Sequence, residues 1–109
     1  MITYPEGYEE LTKEEKDSIC NGCGAKGWGG LIPDTIWFLD IKEACDVHDY
    51  MYHKGYTLRD KDKADRLFFK NMVALIDDGW PILRHIRKVR ATAYYKAVSN
   101  WGHRSFFDS

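Results

Sequence analysis

Two consecutive helical stripes, each with an ionisable side chain set among apolar ones, constrain this chain more than anything else in it. In the first, Ile41, Ala44, Cys45, His48, Met51 and Tyr52 recur at 3.6-residue spacing until Gly55. In the second, Ala64, Leu67, Phe68, Met72 and Leu75 face one way, while Asp65, Phe69, Met72 and Ile76 form an adjoining face. That helix is expected to be buried around much of its circumference. Asp40, with Glu43 three residues on, is the expected cap of the first helix, and Asp60 of the second. The break between them is short, and short connections make helices antiparallel neighbours. His48 stands about six residues before the end of its helix and Asp65 about five after the start of the next, roughly 9 and 7.5 Å from the shared turn. The two side chains are expected to meet at one level.

That meeting has a chemistry. A carboxylate accepting the N–H of one imidazole nitrogen leaves the other nitrogen as a base and stabilises the imidazolium that forms. Tyr52, one turn after His48, is spaced to hydrogen-bond Asp65. Asp49 is rotated about 100° from His48, toward a Gly-rich string upstream, Asn21-Gly22-Cys23-Gly24-Ala25-Lys26-Gly27-Trp28-Gly29-Gly30. A lone His in an apolar stripe is ordinarily a satisfied core residue, and a lone early-turn Asp an ordinary helix acid. Their conjunction with a second acid and a glycine loop favours a site.

The remaining chain supplies the frame. At 109 residues, 44% hydrophobic and 30% charged, it reads as one small globular domain with a single core. No apolar run is long enough to span a bilayer. The N-terminus lacks a charged region followed by an apolar one, so no secretory signal is visible and the location stays open. Thr12-Lys13-Glu14-Glu15 has the form of a capping box and predicts a short helix from Lys13 to about Cys20. Residues 21–39 have no periodicity and read as a long loop, of a length that is more often functional than idle. Asp77-Asp78-Gly79 ends the second stripe. Pro81 suits the first turn of a fourth helix whose stripe is Ile82, Ile86, Val89, Ala93 and Ala97, with Gly102 beyond it. No strand pattern stands out. The expected fold is all-α: a single domain with two antiparallel catalytic helices, a Gly-rich metal-binding loop and an additional helix over 81–101.

Charge divides the chain unevenly. From Pro81 onward there are six Lys/Arg and one acid, against ten and sixteen over residues 1–80. Arg84, Arg87, Lys88 and Arg90 read as a solvated helix face, with a patch for phosphates or anionic lipid as the alternative.

The string Cys45-x-x-His48-Asp49-x-x-Tyr52 resembles the active-site helix of secreted phospholipases A2. Lys61-x-Lys63-Ala64-Asp65-x-x-Phe68 looks like the second catalytic helix of their bacterial relatives, and Cys23-Gly24 with Gly27-Trp28-Gly29-Gly30 looks like the calcium loop. The likeness covers roughly residues 20–76. It implies that His48 takes a proton from water, Asp49 ligates Ca²⁺, Asp65 orients His48 and Tyr52 supports Asp65. It also implies loop-carbonyl ligands at Gly27 and Gly29, with Gly24 in an alternative frame, and a Cys23–Cys45 disulfide. The implied partner is a phospholipid surface, with no nucleic acid. Trp28, Ile32, Trp37 and Phe38 are the aromatic and apolar residues around the loop that suit acyl chains, although core packing is the commoner duty. The chain departs from the animal enzymes: its His-to-Asp spacing is too short for their β-wing, and Ala44 and Met51 stand where those enzymes have cysteines. It is closer to the compact bacterial and viral forms.

The cysteines raise a rival. Cys20-x-x-Cys23 followed by Cys45-x-x-His48 is a Cys₃His zinc pattern, which would make His48 a ligand and the chain a zinc-stabilised binding module. That reading leaves Asp49, Asp65 and Tyr52 without a role. A phospholipase-like domain without activity, serving in interactions, is the third alternative.

Overall fold

The computed structural model describes residues 2–20 and 35–101. A short helix α1 (Lys13–Ile19) is followed by a two-stranded ribbon of β1 (Thr35–Ile36) and β2 (Leu39–Asp40). Helices α2 (Lys42–Lys54), α3 (Leu58–Asp77) and α4 (Arg84–Trp101) complete it, with a single 3₁₀ turn at Pro81–Leu83 leading into α4. The architecture is mostly helical, as expected, apart from the ribbon. That ribbon was not expected because two-residue strands are too short to display alternation.

Local chemistry sets each helix start. Thr12 caps α1 in a complete capping box with Glu15, as its sequence predicts. The two other expected caps need correction. The N-cap of α2 is Ile41, whose side chain accepts nothing, and Asp40 instead reaches the Lys42 N–H from one residue earlier, at 2.8 Å. The N-cap of α3 is Thr57; Asp60 is the third helical residue, returning a bond to the Thr57 N–H. Thr57 therefore claims three residues of helix, Leu58, Arg59 and Asp60, that an Asp60 cap would have left outside it, and only Gly55, Tyr56 and Thr57 separate α2 from α3.

The core is built where α2, α3 and α4 pack. Ile41, Ala44, Cys45 and Tyr52 from α2 meet Ala64, Phe68, Met72 and Ile76 from α3, closed by Ile36 and by Ala91, Tyr94 and Val98. On the other side of α2, Val47 and Tyr50 pack with Tyr8 and Cys20, which ties the N-terminal segment to the same helix. That segment is also clasped from α3. Buried Asn71 accepts the Thr3 N–H at 2.8 Å and donates to the Thr3 carbonyl at 3.0 Å. Gly7 has φ +89°, and a side chain there would meet the Tyr50 hydroxyl, so only glycine passes without strain.

The expected face of α4 is wrong by part of a turn. Ile82, Ile86 and Val89 are exposed, as is Ala93, while Ala97 of the expected stripe does pack against the core; the buried line is Arg87, Ala91, Tyr94 and Val98. Arg87 and Tyr94 are the reason. Each buries its stem or ring and spends its polar end on a backbone carbonyl: Arg87 on Trp37 through Nε at 3.2 Å and Nη2 at 2.8 Å, Tyr94 on Thr35 at 3.1 Å. Amphipathic side chains of this kind hide an inward face from a hydrophobic-pattern reading. No helix among the described residues is long and apolar enough to cross a membrane.

This register makes a direct prediction. Val89→Lys, on the exposed line, should change stability by no more than about 0.5 kcal/mol. Ala91→Leu, two residues on, should cost about 1–3 kcal/mol by overpacking the core. Chemical denaturation of the two variants checks it, and the reverse order of effects would restore the first register.

Candidate active site

The three-residue turn folds α3 back along α2, since helices continuing in one direction could not bring His48 and Asp65 into contact. They do touch: His48 Nε2 lies 2.8 Å from Asp65 Oδ1, with both residues nearly inaccessible. The Tyr52 hydroxyl donates to the same oxygen at 2.5 Å, so the three residues expected to act together are brought together. Oδ2 takes a fourth participant, Lys61, whose Nζ donates at 2.7 Å. Phe68 stacks on the imidazole at 4.6 Å between centroids, and the Tyr52 ring lies 4.2 Å from it on a tilt.

The electrostatics give each group a protonation state. Burial alone would push the Asp65 carboxyl up, but the hydrogen bonds from His48, Lys61 and Tyr52 together hold it below the usual carboxylate range. Asp65 is thus an acceptor only, which makes His48 Nε2 a donor and puts the ring's lone pair on Nδ1. Burial drives the His48 imidazole below its ordinary value against the pull of Asp65, and the Lys61 charge adds to the lowering. The ring is neutral near pH 7. Burial, then the charges and hydrogen bond of Asp65, and finally the Asp49 charge, push the Tyr52 phenol far above its ordinary value, so it stays a donor. The arrangement is a neutral imidazole oriented by an ionised carboxylate, the preparation a general base requires.

Asp49, the expected metal ligand, is half-buried on α2 beside His48. Its charge contributes to raising both the Tyr52 phenol and the Cys20 thiol. Gly24, Gly27 and Gly29, the expected carbonyl ligands, lie outside the described residues, as do Cys23, Trp28 and Ile32. Among the described residues no three His, Cys, Asp or Glu side chains converge as a metal group. A hard cation beside Asp49 would take its other oxygens from backbone carbonyls, which is the donor chemistry calcium accepts.

The two described cysteines, Cys20 and Cys45, are both engaged otherwise than as metal ligands. Cys20 is buried and free, and its Sγ–H donates to the Asp46 carbonyl at 3.2 Å. Cys45 is disulfide-bonded. Neither offers a thiolate, and His48 Nε2 is committed to Asp65. The basic face is also partly consumed: Arg87 is buried against Trp37, while Arg84 and Lys88 lie 3.5 and 3.0 Å from Asp77.

Sequence reasoning missed Lys61. A lysine four residues before an aspartate ordinarily signals a surface pair along a helix. It is buried at the start of α3, where it reaches the Val98 and Ser99 carbonyls of α4. Phe68 was legible as core but not as the ring under the imidazole.

Burial, together with the Asp46 and Asp49 charges, pushes the Cys20 thiol up to about 12. At pH 8 only about one molecule in ten thousand would carry the reactive thiolate. Native protein treated with iodoacetamide at pH 8 should therefore leave Cys20 unmodified by peptide mass mapping, with full labelling after unfolding. Rapid labelling of the native chain would contradict the burial and bonding of this thiol. No protein-family model, curated protein or solved structure matches this chain.

Proposed function

We propose that this chain is a calcium-dependent hydrolase of the phospholipase A2 type, cleaving an acyl ester of a phospholipid with water activated by His48. The observation that carries this reading is the buried contact between His48 Nε2 and Asp65 Oδ1, next in sequence to the half-buried Asp49 carboxylate. The resemblance of Cys45-x-x-His48-Asp49-x-x-Tyr52 to the family's helix supplies the substrate class.

The chemistry follows from the chain's own groups. His48 Nδ1 takes a proton from water as the water oxygen bonds to the ester carbonyl carbon. The imidazolium so formed is stabilised by Asp65, whose negative charge is already held in place by Tyr52 and Lys61. As the tetrahedral species collapses, the carbon–oxygen bond to the glycerol side breaks and the leaving alkoxide recovers the proton from His48. No serine or cysteine nucleophile is needed, since water attacks directly. Asp49 and carbonyls of residues 21–34, among them Gly27 and Gly29 or Gly24, would hold the cation. When bound, calcium supplies a Lewis acid for the ester carbonyl and the charge that develops on it.

A lipid surface is consistent with what the ribbon displays. Phe38 is 92% exposed and Trp37 is 44% exposed at its turn. Both have positive φ, 70° and 44°, a conformation bulky residues rarely adopt. Two bonds from Arg87 to the Trp37 carbonyl secure that backbone, and Arg90 lies over the Trp37 ring. An aromatic held out to solvent on a secured backbone with a cation beside it suits the boundary between headgroups and acyl chains.

Asp49→Asn and His48→Gln test the assignment on vesicles of phosphatidylcholine and phosphatidylglycerol. Wild type should release fatty acid with calcium and stop with a calcium chelator. Asp49→Asn should lose at least about 100-fold, the order expected when stabilisation of a developing oxyanion is lost. His48→Gln should be inactive at every calcium concentration. Hydrolysis by Asp49→Asn at the wild-type rate and calcium dependence would remove Asp49 from the metal role.

A further inference from the structure

We infer that Lys61 is a positioning residue for the reaction, which through Asp65 makes the C-terminal turn of α4 part of the catalytic apparatus. This deepens the hydrolase reading and rests on it. Lys61 is 4% exposed, and its ammonium has three oxygen partners. They are Asp65 Oδ2 at 2.7 Å, the Val98 carbonyl at 3.0 Å and the Ser99 carbonyl at 3.2 Å. An ammonium has three N–H donors, so none is left over.

Each of the three bonds has a separate consequence. The bond to Oδ2 fixes the rotation of the Asp65 carboxylate, since the other oxygen is already shared by His48 and Tyr52. With Oδ2 released, the carboxylate could turn about its Cβ–Cγ axis and lose the alignment of Oδ1 with the imidazole. The bonds to Val98 and Ser99 reach backbone carbonyls near the end of α4, 37 and 38 residues further along the chain. The same ammonium therefore joins a buried carboxylate to two backbone carbonyls of α4. Asp65 is held by α2, α3 and α4 at once, and a segment outside the motif region over 20–76 acquires a role at the site.

A purely structural ion pair would support the fold but leave the imidazole indifferent to its loss. The two roles separate in Lys61→Met, which keeps much of the side-chain length, and in Lys61→Ala, which leaves room for an added alkylammonium ion. On phosphatidylcholine–phosphatidylglycerol vesicles, Lys61→Met should lose about 10–100-fold in kcat, the usual cost of removing an outer hydrogen-bond partner. The calcium concentration for half-maximal rate should stay within about twofold, because Asp49 is untouched. Millimolar propylammonium should restore part of the rate of Lys61→Ala. Nitrogen-15 spectra of the His48 ring supply a readout independent of activity: the Nε2–H proton, held downfield by Asp65 in wild type, should move or vanish in Lys61→Met.

A folded Lys61→Met with wild-type kcat and an unmoved Nε2–H proton would overturn the inference. If wild type hydrolyses no vesicle, the hydrolase reading falls, and the imidazole spectrum alone decides whether Lys61 positions Asp65. If neither variant folds, Lys61→Gln, which keeps a hydrogen-bond donor and drops the charge, is put to the same two measurements: a moved Nε2–H proton with a lowered kcat supports the inference, and wild-type values of both refute it.

Discussion

Everything at this site depends on keeping one carboxylate ionised where water barely reaches. Asp65 is 1% exposed, and a buried anion is costly unless it is paired and hydrogen-bonded. Three donors from two helices answer it: His48 and Tyr52 on Oδ1, Lys61 on Oδ2. The arrangement is asymmetric in energy. Withdrawing one partner of a buried pair typically costs about 3–5 kcal/mol, because the remaining charge is stranded. That asymmetry resists any arrangement of the helices that would separate the partners, so the polar centre helps to define the packing around it.

The packing in turn explains why the carboxylate can be satisfied at all. Thr57 starts α3 immediately after a three-residue turn, so α3 doubles back on α2 with His48 and Asp65 at matching heights. Phe68, one turn after Asp65, lies against the imidazole, while Met72 and Ile76 extend the same face into the core. On α4, Ala91 is fully buried in the core, and Val98 brings its carbonyl to Lys61. The N-terminal segment braces the opposite side of α2, where Tyr8 packs on Tyr50 and donates to Glu43 at 3.0 Å. His48 is fixed through its helix from both sides.

The sequence was legible where periodicity and chemistry agreed. His48, Tyr52 and Asp65 could be read together because each stands in an apolar stripe at a computable distance from a common turn. The fold class followed from the same stripes. Reading failed where a polar residue does an apolar residue's work: Arg87 and Tyr94 face inward on α4, so a stripe built from Ile82, Ile86 and Val89 took the solvent side for the core. Lys61 was illegible for a related reason, since the Val98 and Ser99 carbonyls it reaches lie 37 and 38 residues further along the chain. Asp40 and Asp60 were misread by one and three residues as caps, because carboxylates just outside or just inside a helix end bond the same N–H groups that a cap does. The glycine string from 21 to 30 carries a metal hypothesis in its composition alone, since the carbonyls concerned belong to a backbone path that residue identities do not specify.

The state of His48 brings these threads to one point. Burial weakens the imidazole as a base, while the ionised Asp65 strengthens it, and here burial prevails enough to keep the ring neutral. A general base must be unprotonated before it can act, yet basic enough to accept a proton in the transition state. In the proposed reaction, desolvation would secure the first condition, and the oriented carboxylate would supply the second by stabilising the imidazolium as it forms. Lys61 moderates this balance from the far oxygen of Asp65: its charge keeps the carboxylate ionised but also opposes positive charge on the ring. A carboxylate with no such cation would make His48 more basic and bring it closer to protonation at rest. The buried lysine therefore favours the neutral imidazole that the proposed hydrolysis requires, and the helix that supplies its other two partners helps to hold it there.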